Sequence, residues 1–169
     1  YAQATAAFQP VLSDLVAELP LLRQPLGDDL PAATGAVARR MVAACAPHRR
    51  VFLTPMAAVA GAVADHTLAA LVDGRRLARA YVNDGGDIAL FITPGQSLVA
   101  GIATRLDVTQ IHRPVLDATV TIESHLPVRG IATSGQGGRS LSFGIADAVT
   151  VLASDAAAAD VAATLIANA

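Results

Sequence analysis

The chain has 169 residues, of which 53% are hydrophobic, and a formal net charge of −2. It is therefore long enough for one domain with a substantial core. All 12 basic residues are arginine, which excludes Schiff-base chemistry and a P-loop lysine. The near-neutral charge, with two Tyr, four Phe and no Trp, offers neither the positive field nor the stacking surface of a nucleic-acid binder. Nucleic acid is not an expected partner.

We expect neither a membrane span nor a secretory leader. The apolar residues never form the uninterrupted run of about 18 that a spanning helix needs, and no basic segment followed by an apolar one opens the chain. The single Cys45 cannot form an internal disulfide, and we interpret it as a core residue in a cytoplasmic protein. Because the chain opens at Tyr1 without an initiator Met, we expect residues 1–169 to be one domain truncated at both ends.

The first third of the chain has the periodicity of helices. Apolar residues at three- and four-residue steps predict an amphipathic helix over residues 6–19, ended by Pro20. A loop then leads to a second helix, from about Gly35 to Cys45, capped near Thr34. A short strand over residues 51–53 precedes a third helix over residues 56–72, whose glycine and alanines allow close approach to its backbone.

The remainder of the chain is rich in β-branched runs. Five of these predict strands, over residues 79–82, 88–92, 99–102, 118–122 and 148–152. An alanine-rich helix over residues 155–169 follows them. Helices first, strands second and a terminal helix indicate an α+β fold, with N-terminal helices packed on a mainly antiparallel sheet and a C-terminal helix.

A glycine pair lies between the first two predicted strands. The arrangement is typical of a tight hairpin turn. In a functional interpretation, the same glycines allow close backbone approach and the polar side chains around them converge on a ligand. The residues concerned are Asn83, Asp84, Gly85, Gly86 and Asp87.

A second glycine-rich stretch covers residues 130–140. It combines the hydroxyls of Thr133 and Ser134, the backbone of Gly135 and the guanidinium of Arg139, which together could cradle a phosphate. It could equally be a flexible loop between strands, and it lacks the following helix of a P-loop or Rossmann motif. Ser134 has no surrounding G-x-S-x-G pattern, so a serine hydrolase is disfavoured.

Two oxygen-bearing residues share one face of the last predicted helix. Asp160 and Thr164 are four residues apart, so a carboxylate and a hydroxyl stand side by side, and such ligands suit Mg²⁺ or Ca²⁺. The alternative is a solvent-facing Asp and a Thr bonded to its own helix. No histidine shows metal-ligand spacing; the four are His48, His66, His112 and His125.

Four segments, taken in order, resemble the motifs of the ApbE superfamily, which includes the FAD:protein FMN transferases. They are V-N-D-G-G-D-I from residue 82, G-I-A-T-S-G from 130, A-V-T-V-L-A from 148 and A-D-V-A-A-T from 159. The resemblance covers residues 51–169 and implies an ApbE-like domain. It also implies that Asp160 and Thr164 hold Mg²⁺ beside the pyrophosphate of FAD.

Two departures from that pattern concern catalysis. Gly61 and Asp65 have the spacing of the transferases' A-K-G helix motif, but Ala60 replaces the lysine. The H-x-x-x-P-x-T-G segment that the transferases carry after the T-S-G motif is absent. A single preorganised electrostatic contact is worth about 3 kcal/mol to a transition state, so both losses weaken the expectation of flavin transfer.

We therefore expect an ApbE-like protein of unassigned activity. It would bind a flavin-like ligand such as FAD or FMN, or another small phosphate-bearing ligand, together with Mg²⁺. Gly61 and the two glycine-rich segments would line the ligand site. The alternatives are an active FMN transferase and a homo-oligomeric structural or interaction module.

Overall fold

The computed structural model describes residues 1–102, 116, 118–136 and 143–169. Its helices are α1 (Ala2–Phe8), α2 (Val11–Ala17), α3 (Leu19–Leu22), α4 (Ala36–Cys45), α5 (Val59–Val72) and α6 (Ala156–Ala167). Its strands are β1 (Arg79–Asp84), β2 (Asp87–Ile92), β3 (Ser97–Ile102), β4 (Ala118–Glu123), β5 (Gly130–Ser134) and β6 (Val149–Ala153). Short 3₁₀ turns cover Ala46–His48 and Pro55–Ala58.

The N-terminal segment is three short helices, so the prediction of one helix over residues 6–19 is wrong. Pro10 lies between α1 and α2 as the N-cap of α2, because a proline has no N–H to continue a helical ladder. Pro20 lies in the first turn of α3, where the missing N–H costs nothing. It therefore opens a helix instead of ending one.

Helix α4 is found where it was predicted, with its N-cap at Gly35. Because the cap residue is glycine, it has no side chain that could accept a hydrogen bond from the helix. Instead the carboxylate of Glu18 accepts the amides of Thr34 at 2.8 Å and Gly35 at 2.7 Å. These two bonds lower the pKa of Glu18. Glu18, the N-cap residue of α3, thus caps the start of α4, close to Thr34 where the sequence predicted a cap.

Helix α5 forms the centre of the domain. The prediction of a helix over residues 56–72 is confirmed, but the predicted strand at 51–53 is wrong, since those residues belong to neither sheet. In the part of the chain that the structure describes, Pro55–Val72 is long and apolar enough to cross a membrane by those measures alone. Here it packs against α1, α4, α6 and the first two strands.

The strands form two antiparallel sheets. The first has the order β1-β2-β5-β6 and the second pairs β3 with β4. Ala89 packs with Ala64 and Ala156 of the helices, while its neighbour Leu90 packs with Ile122 of β4. Helices therefore cover one face of the larger sheet and the antiparallel β3–β4 pair covers the other, which is an α+β arrangement.

Strand β5 was missed from the sequence. Residues 130–134 were interpreted as part of a loop, yet they form an inner strand between β2 and β6. Gly130 allows this because a Cβ there would lie 2.1 Å from the backbone carbonyl carbon of Asp155. Only a glycine lets the strand pass that close to the start of α6.

Helix α6 fits between the other helices and the sheet by means of small side chains. Ala159 and Ala163 pack on Ala132 of β5, and Ala157 and Val161 join the large cluster formed with α4 and α5. The positions between these two faces are Asp160 and Thr164, by helical spacing. The fold therefore leaves this pair half-buried between the two packed faces of the helix.

Candidate functional site

The β1–β2 hairpin is closed by a two-residue glycine turn. Asp84 pairs with Asp87 across the strands, and Gly85 and Gly86 have φ values of 68° and 123°, which only glycine adopts at low cost. The side chain of Asn83 accepts the amide of Gly86 at 2.9 Å. The predicted hairpin is confirmed, and because cross-strand partners share a face, both aspartates point to the same side.

That side is the one covered by α6. Ala89 of β2 packs on the helices, and alternation along the strand puts Asp87 on the same face. The Oδ1 atom of Asp87 accepts the amide of Thr133 at 3.3 Å. The pKa of Asp87 is raised to about 6, mainly by burial; the hydrogen bond from the Thr133 amide opposes the rise and the charge of Asp84 contributes to it.

Asp160 approaches the hairpin from α6. Its Oδ2 atom accepts the amide of Gly61 at 3.1 Å, at the first turn of α5. Burial, followed by the charges of Asp87 and Asp84, raises its pKa to about 7, against the opposing effect of the amides of Gly61 and Ala60. We refer to Asp84, Asp87 and Asp160 as the carboxylate cluster. The structure thus brings together acids separated by more than 70 positions in the sequence.

The remaining predicted residues occupy different positions around this cluster. The hydroxyl of Thr133 lies 2.8 Å from that of Thr150, on the face of β5 turned away from α6, so Thr133 offers the cluster its amide. Ser134 faces α6 and is only 6% exposed. Gly135, at φ 149°, passes so close to Asp147 that a Cβ would lie 2.4 Å from its carbonyl oxygen. Arg139 lies outside the described residues.

Thr164 lies one turn beyond Asp160 and is half-buried. Its carbonyl oxygen accepts the side-chain amide of Asn168 at 2.8 Å. Within the described ranges, no three side chains of His, Cys, Asp or Glu form a group able to hold a metal. A cation at the carboxylate cluster would therefore draw on hydroxyls, water or the ligand itself for its other oxygens.

Gly61 and Asp65 link α5 to α6. A Cβ on Gly61 would lie 2.3 Å from the carbonyl oxygen of Ala156, so the two helices touch backbone to backbone. The carboxylate of Asp65 accepts the amides of Ala156 at 3.1 Å and Ala157 at 3.0 Å. Asp160 of α6 in turn accepts the amide of Gly61 in α5. Each helix thus supplies an aspartate to the amino end of the other.

This mutual capping gives the G-x-x-x-D spacing of α5 a structural role that sequence reasoning missed. Asp65 was noted only as a match to a motif. A hint was present in the sequence, because a charged residue inside an otherwise apolar helix is rarely buried unless it has partners. The partners themselves lie about 90 positions further along the chain and could not be named from spacing.

We expect Asp65→Ala to lower the free energy of unfolding by about 2 kcal/mol, because two amides at the start of α6 lose their acceptor. Urea denaturation followed by circular dichroism measures this. The matched control is Asp29→Ala, at an exposed position, where a change within about 0.5 kcal/mol is expected. Equal stability of the two variants would contradict the capping role.

Cys45 takes no part in chemistry at this site. It is fully buried, and its Sγ lies 3.7 Å and 3.9 Å from the carbonyl oxygens of Thr54 and Pro55. Burial raises the pKa of the thiol to about 12, and the charge of Asp160 contributes. A thiol in that state supplies almost no thiolate at neutral pH, which agrees with its interpretation as a core residue.

Comparison with known proteins gives a family match over the whole chain. The family model described as AbpE bacteria matches residues 1–169. Proteins named UPF0280 protein are similar: that of Methanothermobacter thermautotrophicus is 40% identical over 127 residues, 71% of this chain and 44% of the relative. That of Methanococcoides burtonii is 37% identical over 134 residues, 79% and 52% respectively. The chain spans about half the length of the curated relatives it matches.

Proposed function

Starting from the fact that this chain belongs to the AbpE bacteria family, we propose that it is an ApbE-related protein that binds a small phosphate-bearing ligand together with a divalent cation. The site is the carboxylate cluster between the β1–β2 hairpin and α6. The observation that carries the proposal is the convergence of Asp87 and Asp160, two half-buried acids, with the charge of Asp87 raising the pKa of Asp160.

Two like charges held close together and away from water are unfavourable without a counterion. No arginine or histidine of the described residues forms an ion pair with either aspartate. A divalent cation would neutralise both, and carboxylate and hydroxyl oxygens are the ligands that Mg²⁺ prefers. Asp87, Asp160 and the hydroxyl of Thr164 are the groups that would hold it.

The small number of protein ligands favours a cation that is shared with a phosphate. Mg²⁺ is usually bound by one or two carboxylates, several waters and the phosphates of a substrate. When bound, it would neutralise phosphate charge as a Lewis acid. The negative charges of Asp87 and Asp160 would then repel an anion unless the cation is present, so ligand binding should depend on the metal.

The flavin part of the proposal rests on the ApbE resemblance. FAD and FMN both carry phosphates that such a cation could bind, so they are the first ligands to test. We favour a binding protein over an FMN transferase because Ala60, whose amide lies beside Asp160, occupies the position of the transferases' lysine. No basic side chain can act from that position on a departing phosphate.

The test is thermal unfolding at pH 8 with Mg²⁺ alone, and with ADP, FMN or FAD in the presence and absence of Mg²⁺. We expect Mg²⁺ to stabilise the protein, and a nucleotide to add to this only when Mg²⁺ is present. A ligand at 100 times its dissociation constant should contribute about 2.7 kcal/mol. Asp160→Asn should abolish both effects, whereas the exposed control Asp29→Asn should retain them.

Two results would contradict the proposal. One is the absence of any stabilisation by Mg²⁺, with or without the nucleotides. The other is an equal response of Asp160→Asn and the parent protein. Covalent flavin on an acceptor peptide after incubation with FAD and Mg²⁺ would instead establish the transferase activity.

A further inference from the structure

A surface groove lies away from the carboxylate cluster. It measures about 600 Å³ and is formed by the start of α1, the carboxyl end of α5 and strands β1 and β3. Its apolar wall consists of Leu71, Leu77 and Leu98, and its polar rim carries Arg75, Arg79 and Tyr81. We call it the arginine groove. Its volume falls in the range of clefts that bind small molecules.

Arg75 is held in place by Gln3. The side-chain oxygen of Gln3 accepts bonds from Nε of Arg75 at 3.1 Å and from its Nη2 at 3.0 Å. The side-chain nitrogen of Gln3 in turn donates to the carbonyl oxygens of Leu71 at 3.1 Å and Asp73 at 2.9 Å. The guanidinium is thus fixed to the end of α5 through a neutral amide instead of a carboxylate.

Arg79 is anchored from the other side of the groove. Its Nη1 donates to the carbonyl oxygen of Ser97 at 3.1 Å, at the first residue of β3. Each guanidinium carries five N–H donors, so these bonds leave several donors to each. In the described ranges, neither arginine has an Asp or Glu oxygen within ion-pair distance. Two positioned positive charges therefore share one groove without an acidic partner.

We propose that the arginine groove binds a small amphipathic anion, with a phosphate or carboxylate head and an apolar body. The head would take the donors of Arg75 and Arg79, since guanidinium groups match the oxygens of such anions. The body would lie on Leu71, Leu77 and Leu98, and Tyr81, 62% exposed on the rim, would cover it. An inorganic anion would leave the apolar wall uncovered, and an uncharged apolar molecule would leave both arginines without an anionic partner.

The experiment uses isothermal titration calorimetry with octyl phosphate, 1-octanol and inorganic phosphate as probes. It is done with EDTA and without divalent cations, so that the metal-dependent site proposed above does not contribute and the two proposals fail separately. We expect octyl phosphate to bind with a dissociation constant of about 1 mM or below. The other two probes should bind at least about tenfold more weakly.

Variants locate the site. Arg79→Gln should weaken octyl phosphate binding about tenfold, the effect of losing a charged hydrogen bond, and Arg75→Gln should do the same. The matched control Arg50→Gln, at an exposed position outside the groove, should bind like the parent. Circular dichroism checks that each variant is folded. Tyr81→Ser, at an exposed position, should weaken octyl phosphate binding by removing contact with the apolar body of the ligand alone. Equal binding of octyl phosphate and 1-octanol, or unchanged binding in both groove-arginine variants, would overturn the proposal.

Discussion

Gly61→Ala is expected to lower the free energy of unfolding by about 2 kcal/mol. The added Cβ would lie 2.3 Å from the carbonyl oxygen of Ala156 and 2.5 Å from its carbonyl carbon. Both are backbone atoms at the start of α6, so no side-chain rotation relieves the contact and the helices must separate. Overpacking of a core costs about 1 to 3 kcal/mol and occasionally more. The better helix propensity of alanine offsets about 1 kcal/mol of this.

Separation of the helices would also lengthen the mutual caps, since Asp65 reaches α6 and Asp160 reaches α5 across the same contact. For this reason we place the net effect at the upper end of the range. Gly27→Ala is the control, because a Cβ there meets nothing within 4 Å, and it should change stability by less than about 0.5 kcal/mol. Urea denaturation of both variants decides the matter. A Gly61→Ala protein as stable as Gly27→Ala would show that the helices do not touch as described.

The sequence predicted those elements whose signals are local. Runs rich in β-branched and aromatic residues located five strands, and Asp-Gly-Gly-Asp located the turn that joins β1 to β2. Helix α4 began within one residue of its predicted start. The single N-terminal helix failed because the apolar period continues through Pro10, and the missing N–H of one proline outweighed that period.

Strand β5 was missed for the opposite reason. Gly130, Ala132 and Ser134 are poor strand formers, and their place in the sheet follows from what surrounds them. Gly130 and Ala132 are small because the start of α6 and its alanines lie against them. A residue whose small size is required by a neighbour far away in the sequence adds nothing to a periodic pattern. Strand β5 therefore could not be predicted from its local sequence.

The candidate site likewise has one part that the local sequence predicts and one part that depends on the fold. The hairpin alone places Asp84 beside Asp87, and this much could be derived from spacing. Asp160 joins them only because β5 and β6 pair next to β2 and the chain then returns across the sheet as α6. No short sequence motif predicts that strand order or the return of the chain as α6. The ApbE resemblance selected Asp160 and Thr164 but gave no role to Asp65.

The carboxylate cluster should make stability fall as the pH rises from about 4 to about 7. The pKa of Asp160 is raised from 3.8 to about 7, so the folded protein holds a proton that the unfolded chain has already released. Between these two values the folded state binds more protons, and linkage then requires stability to decrease with pH. A shift of this size corresponds to roughly 4 kcal/mol. Asp87, with its pKa raised to about 6, acts in the same direction.

Asp160→Asn is expected to remove most of this pH dependence. An asparagine oxygen can still accept the amide of Gly61, but the side chain carries no charge to be buried beside Asp87. At pH 8 the variant should therefore be more stable than the parent by a few kcal/mol, and at pH 4 the two should be nearly equal. Urea denaturation at each pH measures the difference. A parent protein whose stability is level between pH 4 and pH 8 would contradict it.

Mg²⁺ makes the same measurement diagnostic of function. A cation at the carboxylate cluster competes with the proton on Asp160, so its binding should weaken as the pH falls below about 7. At pH 8, saturating Mg²⁺ should restore to the parent the stability that the unneutralised carboxylates remove. It should leave Asp160→Asn unchanged. Carboxylates that serve only as helix caps would show the pH dependence without the response to Mg²⁺, and the two roles are separated by that difference.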